Sequence, residues 1–356
     1  MTKEVYKPNF IRLDKVKLLF FDIFYKNNKI HMIMPIYNIP ANPQNIIVTV
    51  NNTILKLVER HVKDSIEPAL IHIYEYISPP NTTVKINIKL INNSSISYDL
   101  QHIYTLEKIP TTQTTTQTTT QTTKHKFLAL TTLFKNDYYI FPLFYNYYKE
   151  QGVQHFYMYY NGIITPEIIK LFNIHDVTLI EWNFHYWNPR EIKYAHHAQM
   201  GQMHHALYKY GKDIYDYMVF CDLDEYLHIP KHKFLDTIIS TSTQLSPIKP
   251  TIYDFIIMNS SIDIFGFCNF WANTIDDKMP STHHLPKKIL AVTESCEYCE
   301  RSKNIYKVSS INTIGVHQMG CDHTLTSITD LHMYHFYRWS YKKRIINNCT
   351  NIVDLS

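Results

Sequence analysis

The alternation of apolar and polar residues divides the chain before any chemistry is considered. "NIIVTVNNTILKLVE" (Asn45–Glu59), "ALIHIYEYI" (Ala69–Ile77) and "TTVKINIKLI" (Thr82–Ile91) are short runs rich in β-branched residues, with alternation, between clusters of Pro and Asn. Period two with such punctuation predicts short, half-buried strands. Residues 1–110 therefore read as a small all-β domain of sandwich type. The following "TTQTTTQTTTQTT" (Thr111–Thr123) has no apolar position to bury and is expected to be a solvated linker. From Lys124 the rhythm changes: "KFLALTTLF", "YYIFPLFYNYYKEQG", "HFYMYYN", "TPEIIKLFNIH" and "VTLIEW" alternate strand-like and helix-like runs. This is a βαβ succession, and the helical run "AHHAQMGQMHHALYKYGKD" leads into one more strand, "YMVFCDLDEYL". Residues 124–356 are thus expected to form an α/β domain, with a mainly parallel sheet and helices on both faces, that folds without the first domain.

Composition narrows the class. The chain has 356 residues, 45% of them hydrophobic, and a net charge of +4, which suits a globular protein and calls for no nucleic-acid partner. Its longest apolar runs fall far short of the ~20 residues of a membrane span, and no signal peptide is visible. Six cysteines are too sparse for a disulfide framework, so a cytoplasmic location is expected. The wealth of Tyr, Ile, Asn and Lys beside only 7 Gly suggests AT-rich coding of the kind found in a large DNA virus or a protist; a viral chain would work in the host cytoplasm.

The candidate chemistry sits where the last of these strands ends. In "YMVFCDLDEYLHIP" (Tyr217–Pro230) an apolar run breaks into Asp222, Asp224 and Glu225. In an extended strand residues two apart share a face, so Asp222 and Asp224 would emerge together, roughly 7 Å apart, while Glu225 points away. Ligands of such sheets bind beyond the carboxyl ends of the strands, and two convergent carboxylates there can hold Mg²⁺ or Mn²⁺ with positions left for substrate phosphates. A solvated turn with chance acids is the plainer alternative. A glycosidase also uses paired acids, but the next residue on the shared face is Tyr226. A second cluster, Cys296, Cys299, Cys321 and His323, has the donors of a structural zinc site, with free thiols as its alternative.

At this point the chain resembles glycosyltransferase family 92 and its GT-A relatives, Rossmann-like folds of the family 2 type. The resemblance runs from Lys124 to Ile345 through "LALTTLFKNDYYIFPLFYNYYKEQGVQHFYMYYNG", "AQMGQMHHALYKY", "VFCDLDEYL" with its DxD motif, "FGFCNFW", "PKKIL", "IGVHQM" and "LHMYHFYRWSYKKRI", in that order. It implies metal-dependent, inverting transfer of a hexose from a nucleotide-sugar, with UDP-galactose the first donor to consider, to a glycan or glycoprotein acceptor. By position, Thr131, Asn136, Asp137 and Asn161 would line the nucleotide pocket, Gln199 would approach the donor, and Lys287 would face the diphosphate. Asp222 would serve ribose and metal, Asp224 the metal, and His317 would complete the metal shell, its imidazole favouring Mn²⁺ over Mg²⁺. Asp276 would be the general base. His335 reads more simply as a packed core histidine. The readings that compete are a carbohydrate-binding or structural protein on a degenerate transferase fold, and a zinc-stapled hydrolase.

Overall fold

The computed structural model describes residues 4–12, 18–35, 46–63, 69–77, 83–91, 97–105, 126–187, 197–235, 251–295, 301–317, 326–339 and 349–355. The Thr/Gln tract and the Cys296, Cys299, Cys321 and His323 cluster lie outside them. The chain divides into two compact units, one of residues 7–125 with 184–214, the other of residues 1–6, 126–183 and 215–356. Among the described residues no helix is long and apolar enough to cross a membrane.

In the first unit the alternating segments form strands as their pattern requires. These are β1 (Ile11–Arg12), β2 (Leu18–Phe20), β3 (Asp22–Lys26), β4 (Lys29–Pro35), β5 (Ile46–Val50), β6 (Thr53–Ile54), β7 (Lys56–Lys63), β8 (Ala69–Glu75), β9 (Thr83–Ile91) and β10 (Ser97–Thr105). Two four-stranded antiparallel sheets result, in the orders β3-β4-β8-β7 and β10-β9-β5-β6. Ile23, Ile30 and Met32 of the first pack with Val48, Ile86 and Ile88 of the second in one buried cluster. Asn-Asn pairs close two of the hairpins: Asn27, Asn28, Asn51 and Asn52 all have φ between 49° and 67°. That is the left-handed region a tight two-residue hairpin demands and Asn tolerates.

The segment 184–214 belongs with this sandwich, not with the α/β sheet where its helical pattern suggested it would lie. Its helix, Ala198–His205, continues as a π-helical turn over Ala206–Gly211. Every residue of Ala198–His205 is buried, too complete a burial for a surface helix with one apolar stripe. A side chain at Gly201 would place Cβ 2.6 Å from the Phe21 ring, so only glycine admits this approach. Around it Asp22, fully buried, bonds His205 Nε2 at 2.7 Å and Lys209 Nζ at 3.3 Å and accepts from the Asn9 amide at 2.6 Å. A buried carboxylate with three donors is satisfied, and the helix is held to β3 by charge as well as by packing.

The second unit carries β11 (Lys126–Phe134), α1 (Phe141–Glu150), β12 (His155–Tyr160), α2 (Pro166–Leu171), β13 (Val177–Glu181), β14 (Tyr215–Phe220), β15 (Glu225–His228), β16 (Ile264–Asn273), β17 (Lys288–Ala291), β18 (Lys303–Lys307), β19 (Ser327–His335) and β20 (Asn351–Asp354). Its sheet is mixed, in the order β13-β12-β11-β14-β18-β16-β17-β20, with β15 and β19 attached beside it. The stretch β13-β12-β11-β14 is wholly parallel, as the βαβ rhythm requires; β18, β16, β17 and β20 then pair antiparallel. Parallel pairing thus dominates where crossover helices separate the strands, and it recurs between β16 and β19. Gly152 ends α1 with φ 90°, and a Cβ there would meet Tyr253 at 2.4 Å. At the chain's start Tyr6 bridges Ile180 in parallel, extending the sheet beyond β13.

Candidate active site

Parallel strands deliver their carboxyl ends to one edge, and that edge collects polar residues. Past β11 come Asn136, exposed, and Asp137, half-buried; past β12 comes Asn161, buried, its amide donating to the Phe134 carbonyl at 2.7 Å. Thr131 lies inside β11, where its hydroxyl donates to the Tyr157 carbonyl at 3.1 Å. Past β14 come the acids.

The acids do not continue a strand. β14 stops at Phe220, and the Glu225 amide donates to the Asp222 carbonyl at 3.1 Å, which closes a tight turn before β15. This turn reverses one expectation: Glu225 does not point away, because its Oε2 accepts from the Asp222 amide at 2.7 Å. All three carboxylates consequently gather around a lysine and a histidine that antiparallel pairing brings alongside. β18 runs opposite to β14, with Asn304 facing Phe220, so its first residue, Lys303, begins where β14 ends. Lys303 Nζ lies 2.9 Å from Asp222 Oδ2 and 3.4 Å from Glu225 Oε2. β19 pairs His335 with Glu225 across β15; His335 Nε2 lies 3.3 Å from Asp224 Oδ2 and Nδ1 3.7 Å from Glu225 Oε1. The Trp271 ring packs against His335 at 4.6 Å, and the Arg301 guanidinium lies 5.2 Å over that indole.

Burial and charge set the protonation of this group. Burial pushes Glu225 up, and although Lys303 opposes it, the flanking acids leave the carboxyl near about 7. Asp222 is driven the other way: burial alone would raise it, but Lys303 and then His317 and His335 hold it below the usual carboxylate range. In His335 burial would favour the neutral ring, and Asp224 with Glu225 and Asp222 overcomes it, so the net shift is upward. Three acids face one lysine and one histidine, and the excess is acidic. Asp222 retains 36% of its side-chain exposure against 3% for Lys303 and 2% for Glu225, so it is the accessible end of the cluster.

The other expected residues fall into three places. His317 stands near Asp222 electrostatically, with Nδ1 3.3 Å from the Ser302 carbonyl. Asp276 is exposed on the loop after β16, its Oδ1 accepting from the Lys278 amide at 3.3 Å, beside Asp277, which pairs with Arg338. Gln199 belongs to the sandwich unit, where its side chain accepts from the Tyr186 hydroxyl at 3.0 Å. Lys287, exposed, lines a cleft in which none of the acids takes part. Lys303 escaped the sequence reading because its role depends on which strand pairs with β14. His335 and Glu225 were visible but assigned to the core and to the far face.

Among the described residues no three His, Cys, Asp or Glu side chains are arranged to hold a metal ion by themselves. Asp222 and Asp224 nevertheless supply two hard oxygen donors on one turn, a set that fits Mg²⁺ or Mn²⁺ sharing its remaining positions with substrate phosphates.

A parallel βαβ sheet with carboxylates past its strand ends defines an α/β protein built to bind a ligand at that edge. Within that class the relationship is specific: the family model of glycosyltransferase family 92 matches residues 128–355, and the chain belongs to that family. A search of curated proteins gives no match. Family membership makes the chain a glycosyltransferase by descent, with a sugar donor and a glycan acceptor as its partners.

Proposed function

We propose that the chain is a metal-dependent, inverting hexosyltransferase of GT-A type that uses a nucleotide-sugar, UDP-galactose being the first donor to test, and a glycan or glycoprotein hydroxyl as acceptor. The observation that carries this reading is the acid-rich cluster Asp222, Asp224 and Glu225, pinned by Lys303 and His335 at the carboxyl end of β14. Asp222 and Asp224 would hold Mn²⁺ or Mg²⁺, which when bound neutralises charge developing on the departing diphosphate. Lys303 favours the ionised form of Asp222 and holds its carboxylate; His335 lies against Asp224. Asn136, Asp137 and Asn161, at the neighbouring strand ends, bind and orient the nucleotide. Thr131 supports that edge from within β11.

Inversion needs a single displacement: the acceptor oxygen forms its bond to the anomeric carbon as the bond to the diphosphate breaks, and the acceptor proton passes to a carboxylate on the acceptor side. Asp276 is the candidate for that proton, being exposed. His317 is the candidate third ligand, and its neutral ring would be required.

The test is nucleotide release from a panel of nucleotide-sugars with Mn²⁺, Mg²⁺ or EDTA, paired with thermal shift. A donor present at about a hundred times its dissociation constant should stabilise the fold by about 2.7 kcal/mol, and only with metal. Turnover unchanged by EDTA would remove the metal from the reading, and the absence of any stabilising nucleotide-sugar would remove the donor.

A further inference from the structure

The cleft that holds Lys287 is apart from the acid cluster. α1 connects parallel strands β11 and β12 and so runs against them, which puts its last residues at the amino ends of the strands. Glu150 and the following Gln151 line the cleft, together with His228, Lys231, His284 and Lys287; the acids follow the opposite, carboxyl end of β14. The cavity measures about 370 Å³, within the range of small-molecule sites. Phe234 and Pro286 give it an apolar wall.

Charge in this cleft is unbalanced. Among the described residues that line it, Glu150 is the single carboxylate, and it is already engaged by His284 Nδ1 at 3.2 Å. The ammonium groups of Lys231 and Lys287 have no hydrogen-bond or ion-pair partner among the described residues, and both residues are exposed at the rim. Two uncommitted lysines in one space of ligand size, with Phe234 and Pro286 for the C–H face of a ring and Gln151, His228 and His284 for hydroxyls, are complementary to a sugar that carries an anionic group.

We propose that this cleft is a second ligand site, separate from the transfer chemistry, that binds a phosphate- or carboxylate-bearing sugar through Lys231 and Lys287. A phosphate is held more tightly than a carboxylate because it brings more charge and more acceptor oxygens. The site stands whether or not the proposed transfer reaction does, since it shares no residue with the acid cluster.

Calorimetric titration of glucose 6-phosphate, glucuronate and glucose into the full chain tests it, with Lys231→Ala/Lys287→Ala and Asp222→Asn as variants. The parent and Asp222→Asn should bind the sugar phosphate equally, and glucuronate more weakly. The double lysine variant, melting where the parent melts, should lose roughly tenfold or more in affinity, the worth of one charge-assisted hydrogen bond. Glucose should bind to none of them, and a tighter glucuronate than glucose 6-phosphate would still support the site while assigning it to carboxylates. Equal anion binding by the double lysine variant, loss of binding in Asp222→Asn, or no anion binding by the parent would overturn the proposal. A double lysine variant that fails to bind UDP would also overturn it, by making the cleft part of the donor site.

Discussion

Each unit of this protein buries an acid with a histidine and a lysine, and the two clusters are built to opposite ends. In the sandwich unit Asp22 and His205 are both 0% exposed, and one carboxylate meets two nitrogen groups and a backbone amide. In the sheet unit three carboxylates meet two nitrogen groups, and Asp222 keeps a third of its exposure. A sealed, fully satisfied acid can only hold its neighbours in place. An acid excess with an open end can accept something further, and that difference separates a staple from a site even though the residue types are the same.

The staple should be the costlier to break. Asp22→Ala leaves His205 and Lys209 buried without their partner, an expected loss of about 3–5 kcal/mol. For a protein of this size that is a fall of roughly 4 to 7 °C in melting temperature by calorimetry, with turnover per folded molecule retained. Lys303→Met, the corresponding break at the site, removes a charge that solvent at Asp222 partly replaces; about 1–3 kcal/mol is expected by denaturant titration, together with a marked fall in turnover. Gly201→Ala tests the packing alone. The Phe21 ring must move to admit the methyl group, at a cost of about 1–3 kcal/mol, and Phe21→Leu should recover part of it.

Acidity gives the finest discrimination, because the two clusters respond with opposite signs. Burial lowers His205 from 6.5 to about 4, despite Asp22. Between those values the unfolded chain takes a proton that the folded chain refuses, so this contribution is lost as pH falls from about 6.5 toward 4. His31 and His197, each lowered by burial to about 3, add to the same trend. Glu225 is raised from 4.5 to about 7: the folded chain keeps a proton that the unfolded chain releases, so its contribution is full below 4.5 and lost as pH rises through 7. Unfolding midpoints between pH 4 and 8 should therefore lose their acid-side decline in part with His205→Leu, and their neutral-side decline in part with Glu225→Gln. A Glu225→Gln profile parallel to the parent's throughout would remove the raised carboxyl from the account.

Local pattern carried the elements well and their partners poorly. The Asn-Asn hairpins, the period-two strands of the sandwich and the βαβ run from β11 to β13 are each written in a few adjacent residues. The helix Ala198–His205 is equally legible as a helix, yet nothing local says that it packs on Phe21 and Asp22, more than 170 positions earlier. A chain beginning at Lys124 would be without those contacts and without the Tyr6 bridge to β13. Asp222 and Asp224 were recognisable as acids past a strand end. Lys303 was not, because its place follows from strand pairing, and the turn that swings Glu225 back toward Asp222 follows from where β14 stops.

The central claim is that the acids past β14 perform the transfer, while those of the sandwich only hold it together. It is tested most directly by nucleotide release from UDP-galactose, or from whichever donor the panel selects, comparing Asp222→Asn/Asp224→Asn with Asp22→Asn at equal folded concentration, as set by near-ultraviolet circular dichroism. The account predicts that the double variant melts within a few degrees of the parent and loses on the order of 10²–10³ or more in rate, as when groups that stabilise transition-state charge are removed, whereas Asp22→Asn melts lower and keeps its rate. Parent-like release by the double variant, or a loss of rate in Asp22→Asn as large as that of the double variant, would contradict it.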